Sequence, residues 1–320
     1  MTSNTKKTGK WKQVVLVGAM VLVVTGVVVR IVESSNATAA SETLAKGTFQ
    51  TPAEAGSTLA NAAKNGDQTT LTQILGVDGT ALLITGDSET DKAATDGFAS
   101  KYQQMNRWVE MTDGSRVLYI GADNFAFPVP LAKNSSGQWY FDAVAGAQEV
   151  RARDIGRNEL LAIDACFAVA NAQEIFFNTG AAREYAQRII STPGKQDGLY
   201  WPSPEPQASS PLGHLSQFPK SSLATSPTDD PLVIDGYTLR VLTTQGDDAP
   251  GGAKSYVVNG KMTGGFAILA TPVKYGETGI MTFMISQGGI VYEQNLGPDT
   301  AKLAASIQEY NPDEDWPPVD

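Results

Sequence analysis

The chain has 320 residues, with 24 Lys and Arg against 34 Asp and Glu and a formal net charge of -10. That balance, with no basic face outside the amino terminus, excludes a phosphate-backbone partner, so no nucleic acid is expected. One cysteine and one histidine cannot supply a zinc site or an internal disulfide, and the fold must rest on burial and hydrogen bonding.

In chain order, Lys6, Lys7, Lys10 and Lys12 precede an apolar or small stretch from Val14 to Val29 that ends at Arg30. This pattern reads as an export signal or membrane anchor over residues 1–39, with Ala37-Thr38-Ala39 fitting a small-x-small cleavage site. No cysteine follows the apolar stretch, so a lipoprotein is not expected. The remainder is placed in the periplasm or otherwise outside the cytoplasm, held at the inner membrane if the segment is retained. Membrane contact is expected only through that segment.

Residues 45–150 read as an amino-terminal α+β domain. Thr51-Pro52-Ala-Glu54 is a capping box with proline at the first helical position, and Leu59, Ala62 and Ala63 form an apolar face before Asn65-Gly66. Asp67 caps a second helix carrying Leu71, Ile74 and Leu75 up to Gly76. A third runs from Ser88 to Met105, with Ala94, Phe98 and Tyr102 as its apolar line. Val117–Ile120, Phe127–Leu131 and Gln138–Asp142 then read as strands, the last two joined by Asn134-Ser-Ser-Gly137. Helices followed by antiparallel strands, closing on Gly137-Gln-Trp139-Tyr-Phe141-Asp142, resemble the cone-shaped domains of the nuclear-transport-factor-2-like superfamily.

Residues 151–310 read as a second domain, in which one long helix covers an antiparallel sheet. The helix, one long or kinked element, spans Ala145 to Phe177, and its apolar line is Leu160, Ile163, Phe167, Ala170 and Phe177. If that line faces the sheet, Phe167→Ala removes a core ring and costs about 3–5 kcal/mol. A connector over 191–231 is too rich in proline for regular structure. Its opening, Ser191 to Pro202, carries Leu199, Tyr200 and Trp201 either as caps on the core or as a binding loop.

Five short β-runs follow between Asp235 and Glu293. Tyr237, Leu239 and Val241 alternate with Thr238 and Arg240, Asn259-Gly260 marks a tight hairpin, and Pro272 closes Gly265–Ala270. Ile280–Ser286 is apolar on both parities, as in a strand covered on both faces, and Gln287-Gly288-Gly289 turns it into Ile290–Glu293. Residues 311–320 form an acidic tail. The fold class is therefore α+β: helices on an antiparallel sheet, then a long helix on a β-meander.

Several phrases resemble the bacterial domain-of-unknown-function 2950 family. They include Ile155-Gly-Arg-Asn-Glu159, Asp197-Gly-Leu-Tyr-Trp-Pro202, Ala249-Pro-Gly-Gly252, Val258-Asn-Gly260, Gly264-Gly-Phe-Ala267, Tyr275-Gly276 and Leu296-Gly-Pro-Asp-Thr300. The resemblance implies an exported protein and brings no catalytic residues with it. Asn158-Glu159 opening a helix, Gly236-Tyr237 opening a strand and Gly279–Phe283 before Gly289-Ile290 look like the globular part of pseudopilins, although here a whole domain separates them from the amino-terminal apolar segment.

No residue is assigned a catalytic role, and no cofactor or metal is expected. His214 lies in Pro211-Leu-Gly-His214 without a nucleophile elbow and reads as a loop residue. Cys166 falls among apolar helix residues and reads as core. Asp229-Asp230, Asp247-Asp248 and Asp313-Glu314-Asp315 lack the spacing of a calcium loop. Arg151, Arg153 and Arg157 read as ion-pairing residues at the domain junction. The candidate binding residues are Tyr200, Trp201, Asp197, Arg153 and Arg157. The functional expectation is an envelope binding or assembly module for a protein, peptide or glycan. A carboxylate-dependent hydrolase on an envelope polymer and a pilin-like subunit are the alternatives.

Overall fold

Helix α1, Pro52–Asn65, begins where the capping chemistry places it: the Thr51 hydroxyl accepts from the Glu54 amide at 3.1 Å, and the Glu54 carboxylate reaches back to the Gln50 amide at 2.9 Å. The computed structural model describes residues 47–81, 84, 86–201, 210–213 and 231–319. The expected signal or anchor, most of the proline-rich connector and His214 lie outside the described residues.

Helix α2, Gln68–Ala81, is capped by Asp67 and bent at Gly76, whose φ of 73° leaves the helical region where the sequence expects an end. Helix α3, Ser88–Gln104, turns a different side inward than its aromatic spacing suggests. Asp91, Thr95 and Ala99 are buried, Ala94 is exposed, and Phe98 and Tyr102 are only partly covered. Asp91 accepts from the Gly86 amide and the Thr95 hydroxyl bonds the Asp91 carbonyl, so this polar side is satisfied locally.

The first sheet contains β1 (Asn106–Glu110), β2 (Arg116–Ile120), β3 (Phe125–Ala126), β4 (Leu131–Lys133) and β5 (Trp139–Phe141), all antiparallel in the order β1-β2-β4-β5 with β3 also on β2. Phe127 to Pro130 were expected as strand and are not, because Pro128 and Pro130 cannot donate to a ladder; Phe127 and Val129 are nevertheless buried. Phe49 extends the β5 edge through two 2.8 Å backbone bonds to Trp139. Leu59, Leu71, Leu75, Leu118, Ile120, Phe127, Leu131 and Phe141 form the first core.

Helix α4, Ala143–Thr179, is one unbroken element of 37 residues, about 55 Å long, with Asp142 as its cap. Its first turn packs so closely that a Cβ on Gly146 would lie 2.8 Å from Val129. Its later turns lie against the second sheet. That sheet and its insertion contain β6 (Leu232–Ile234), β7 (Tyr237–Leu242), β8 (Thr244–Gln245), β9 (Lys254–Ser255), β10 (Val257–Val258), β11 (Lys261–Met262), β12 (Ala267–Pro272), β13 (Thr282–Ser286) and β14 (Val291–Gln294). The order β14-β13-β12-β7-β6 is antiparallel throughout, a meander interrupted by the β8–β11 insertion. Asn259 and Gly260 both take positive φ in the β10–β11 hairpin, as its two-residue turn requires.

Helix α5, Thr300–Ser306, covers the opposite face of the meander. Arg240 donates to the carbonyls of Ala304, at 3.0 Å, and Ile307 at the end of α5, which holds that helix through its last carbonyls. Every residue of β13 is buried, consistent with a strand covered on both sides. The tail is not free: Glu293 donates to the Pro317 carbonyl at 3.0 Å, Val319 donates to Val291 at 2.9 Å, and Trp316 is buried. Residues 317–319 thereby close the β14 edge.

The face that α4 turns to the sheet corrects the expected line: Ile163 and Ala170 reach the core from its margin, but Leu160 and Phe167 do not. Ala162, Ala165, Cys166, Val169, Ala172 and Gln173 are buried, whereas Leu160 is 53% and Phe167 47% exposed. The sheet supplies the bulk at this contact, through Tyr237, Leu239, Ile268, Phe283 and Ile285 in the same core. A second layer of large side chains would overfill the space, so the helix approaches with its small residues.

Two polar anchors set that approach. Glu159 Oε1 accepts the Ile280 and Met281 amides at 2.8 and 3.0 Å, and Asn158 donates to the Thr278 carbonyl at 3.0 Å. The Tyr237 hydroxyl, pushed up by burial and by the nearby Glu159, donates to the Met281 carbonyl at 2.8 Å. Gly279 is required here, since a Cβ would fall 2.1 Å from the Tyr237 oxygen. Farther along, Gln173 pairs both its amide groups with the Ala186 backbone at 2.8 Å.

Glu159→Ala leaves two amides without their acceptor and is expected to destabilise the fold by about 2–4 kcal/mol in urea melts. Phe167→Ala, by contrast, is expected to cost less than about 1 kcal/mol in the same measurement, because its ring is half in solvent.

Candidate functional site

At 100° per residue, the buried residues of α4 occupy one side and the line through Leu160 and Phe167 the other. Ile163 and Ala170 form a half-buried shoulder on one side of that line, and Ile175, 39% exposed, lies on the other. Asp164 and Glu174 are exposed and flank the line by about 40° on opposite sides. No lysine or arginine occurs from Asn158 to Ala182. The result is a mixed outward ridge about 22 Å long, from Leu160 to Ile175, in which the exposed Asp164, Asn171 and Glu174 lie between the apolar side chains.

The candidate arginines mark the amino-terminal end of this ridge. Arg153 donates to Glu149 at 2.8 Å and to the Ala126 carbonyl at 2.8 Å, with its guanidinium 5.7 Å from the exposed Phe125 ring. Arg157 donates to Asp154 at 2.8 Å. Both ion pairs lie within α4, and the contact that crosses to the first sheet is Arg153 on Ala126. At the other end Phe177 stacks on Tyr185 with ring centroids 4.6 Å apart, and the Tyr185 hydroxyl meets Glu174 at 3.2 Å.

The loop candidates belong to a different place. Ala186, just before the loop, is fixed on Gln173, sixteen residues and about 24 Å of helix beyond Arg157. Within the loop Leu199 is fully buried, and Tyr200 is partly buried against the second core. Ile190 and Tyr200 form a bridge, with the Ser191 amide on the Tyr200 carbonyl at 2.8 Å. Asp197 accepts the Thr192 amide and hydroxyl, both at 2.7 Å, and Arg188 donates to that hydroxyl at 2.5 Å. Trp201 is half-buried where the described loop ends. These residues close the loop over the core and do not converge with Arg153 and Arg157.

Other reactive groups are placed for structure. Cys166 is fully buried and burial pushes its thiol up to about 12, which removes the thiolate needed for attack. Among the described residues no set of three His, Cys, Asp or Glu side chains could hold a metal ion. Two acidic loops far apart in sequence do meet: Asp248, Pro312, Asp313, Glu314 and Asp315 line an open groove of about 530 Å³. Asn311 ties them, accepting from the Asp248 amide at 2.9 Å and donating to its carboxylate at 2.8 Å. All four carboxylates are exposed, without the apolar surroundings that a carboxyl acid in a sugar-cleaving pair uses.

Sequence reading placed the whole line inward; Ile163 and Ala170 do pack against the core, whereas Leu160 and Phe167 point the other way. The signal that could have placed them is the second apolar stripe of small residues beside the large one.

Comparison with known proteins gives one match. The model of a family described as a protein of unknown function (DUF2950) matches residues 46–319. No curated protein and no solved structure matches the chain.

Partial desolvation pulls the Asp197 carboxyl up, but the Thr192 hydroxyl and amide, with Arg188 nearby, outweigh it and hold the group below its ordinary range. A folded-state value below the unfolded one makes its contribution complete above about pH 4 and lost as the pH falls further. Asp197→Ala is expected to lower stability by about 1 kcal/mol at pH 7, and the gap to the parent protein should close between about pH 4 and 2 in urea melts.

Proposed function

Because the chain belongs to the DUF2950 family, whose description carries no activity, we propose a function from the geometry: a non-enzymatic binding or assembly module of the cell envelope. The observation that carries this reading is the outward ridge of α4. Scattered exposed leucines are ordinary, but Leu160 and Phe167 stand two turns apart on the outward side of a helix whose inner side is core, each about half exposed, with Asp164, Asn171 and Glu174 exposed around them. Glu159 and Asn158 fix that helix to the chain entering β13 and Gln173 fixes it to the Ala186 segment, so the surface is held before any partner arrives, which lowers the ordering cost of association.

Placement in the envelope is supported by the lysines before Val14, the apolar stretch to Val29 and the small residues at Ala37 and Ala39. Binding is favoured over chemistry because, among the described residues, Cys166 is internal and the Asp248 and Asp313–Asp315 carboxylates are openly solvated. The Tyr200–Trp201 loop supports the same reading as a secondary contact, since it is a closed loop with an aromatic at its rim.

A photo-crosslinking residue at position 167 of the full chain in cells tests this. A discrete adduct that saturates with expression, and is absent when the probe sits at the exposed Val77, is the expected result. Equal labelling from both positions, or none from position 167, removes the reading.

A further inference from the structure

We propose that the free edge of β1 takes up an extended segment of another protein as an added antiparallel strand, with an acidic residue opposite Arg107. The site lies on a different element from α4 and stands whether or not that helix docks a partner.

The pairing of β1 shows which backbone groups are free. The Met111 amide donates to the Ser115 carbonyl at 2.9 Å and the Gly121 amide to the Met105 carbonyl at 3.0 Å, so the odd-numbered residues of the strand exchange bonds with β2. The amides and carbonyls of Asn106, Trp108 and Glu110 therefore point away from β2, and among the described residues no other segment bonds to them. By contrast, Phe49 covers β5 and residues 317–319 cover β14. An open row of alternating donors and acceptors is the template for strand addition. The strand is also held before a partner arrives: Trp108 packs with Phe141, ring centroids 6.4 Å apart, and Glu110 accepts from Arg116 at 2.8 Å.

Charge selects the occupant. Arg107 and Val109 share the other face of β1, opposite Tyr119 and Val117. Arg107 is exposed, its guanidinium lies 4.8 Å from the Tyr119 ring centroid, and it donates to the neutral Asn124 side chain at 3.2 Å; among the described residues it has no carboxylate partner. A facing carboxylate on an incoming strand supplies one. A second copy of this chain cannot, because facing residues lie on the same side of a sheet and Glu110 alternates with Arg107. In every register that bonds two or more of the free residues of β1 to those of another β1, Arg107 faces Arg107, Val109 or Met111 of that copy. Read from its amino end, the incoming strand places successive residues opposite Glu110, Val109, Trp108, Arg107 and Asn106. Its second position suits a β-branched side chain and its fourth an aspartate or glutamate.

The test titrates the full chain against labelled synthetic peptides of about nine residues, mostly threonine, with valine and glutamate at those two positions. Fluorescence anisotropy is expected to show saturable binding that weakens with salt. Replacing the glutamate by glutamine, or moving it one residue so that it changes face, should weaken binding about threefold or more. Methylating the backbone nitrogen at the third position, which bonds Trp108, should weaken it about tenfold or more, whereas methylation at the second, which points away, should change it less than about twofold. Arg107→Gln should abolish the preference for glutamate, and Arg107→Glu should transfer it to a lysine peptide, both at the parent urea midpoint. Absence of saturable binding, equal binding of the glutamate, glutamine and shifted peptides, or tolerance of methylation at the third position overturns the proposal. A dimer in sedimentation that the peptide disperses also overturns it, assigning the edge to a second copy. None of these outcomes bears on an adduct at position 167, so the α4 reading fails or stands separately.

Discussion

One carboxylate holds the second half of this fold in register. Glu159 takes the Ile280 and Met281 amides at the entry to β13, and from the sheet Tyr237 takes the carbonyl of the same Met281. Those amides precede the first ladder position of β13, so without Glu159 they would face the helix unpaired. A charged acceptor for two successive amides is among the stronger hydrogen-bond arrangements, and its short side chain fixes the separation of helix and sheet. The fit leaves room for no side chain at Gly279.

That separation determines which side of α4 can be inside. Held close by Glu159 at one end and by Gln173 at the other, the helix meets the sheet chiefly through alanines, Cys166 and Val169, with Ile163 and Phe176 partly buried against the same core. Leu160 and Phe167 are left on the far side, where they form the ridge. The surface assigned to recognition is thus a consequence of the same packing that stabilises the domain. It is also rigid, since the helix begins against Val129 of the first core and ends against the Ala186 segment of the second.

Two of the sheet edges are managed by local means. At β14 the carboxy-terminal residues, including two prolines, cover the unpaired backbone, and at β5 Phe49 does so from the start of the described chain. Arg240, partly buried beneath α5 and so held below its ordinary range, satisfies carbonyls at the end of that helix. Backbone and side-chain hydrogen bonds close these places.

Features with a local cause were legible in the sequence. Thr51, Pro52 and Glu54 announce α1, Gly76 announces a break, Asn259-Gly260 announces a hairpin, and the double-sided apolar run of β13 announces burial on both faces, because each depends on a few neighbouring residues. The direction of α4 was not legible. Its sequence carries two apolar stripes, and hydrophobic periodicity favours the larger one. Only the volume already filled by Tyr237, Leu239 and Phe283 decides for the smaller, and those residues lie some seventy or more positions away. The meeting of Asp248 with Asp313–Asp315, and the separation of the arginines from the Tyr200 loop, are likewise products of distant chain segments. The residues by themselves determined the helices, the antiparallel order of the strands and the buried thiol, though not the loss of pairing at Phe127–Pro130. Tertiary structure alone decided which face of the long helix meets water, because that choice is made by the space between two surfaces and not by either one.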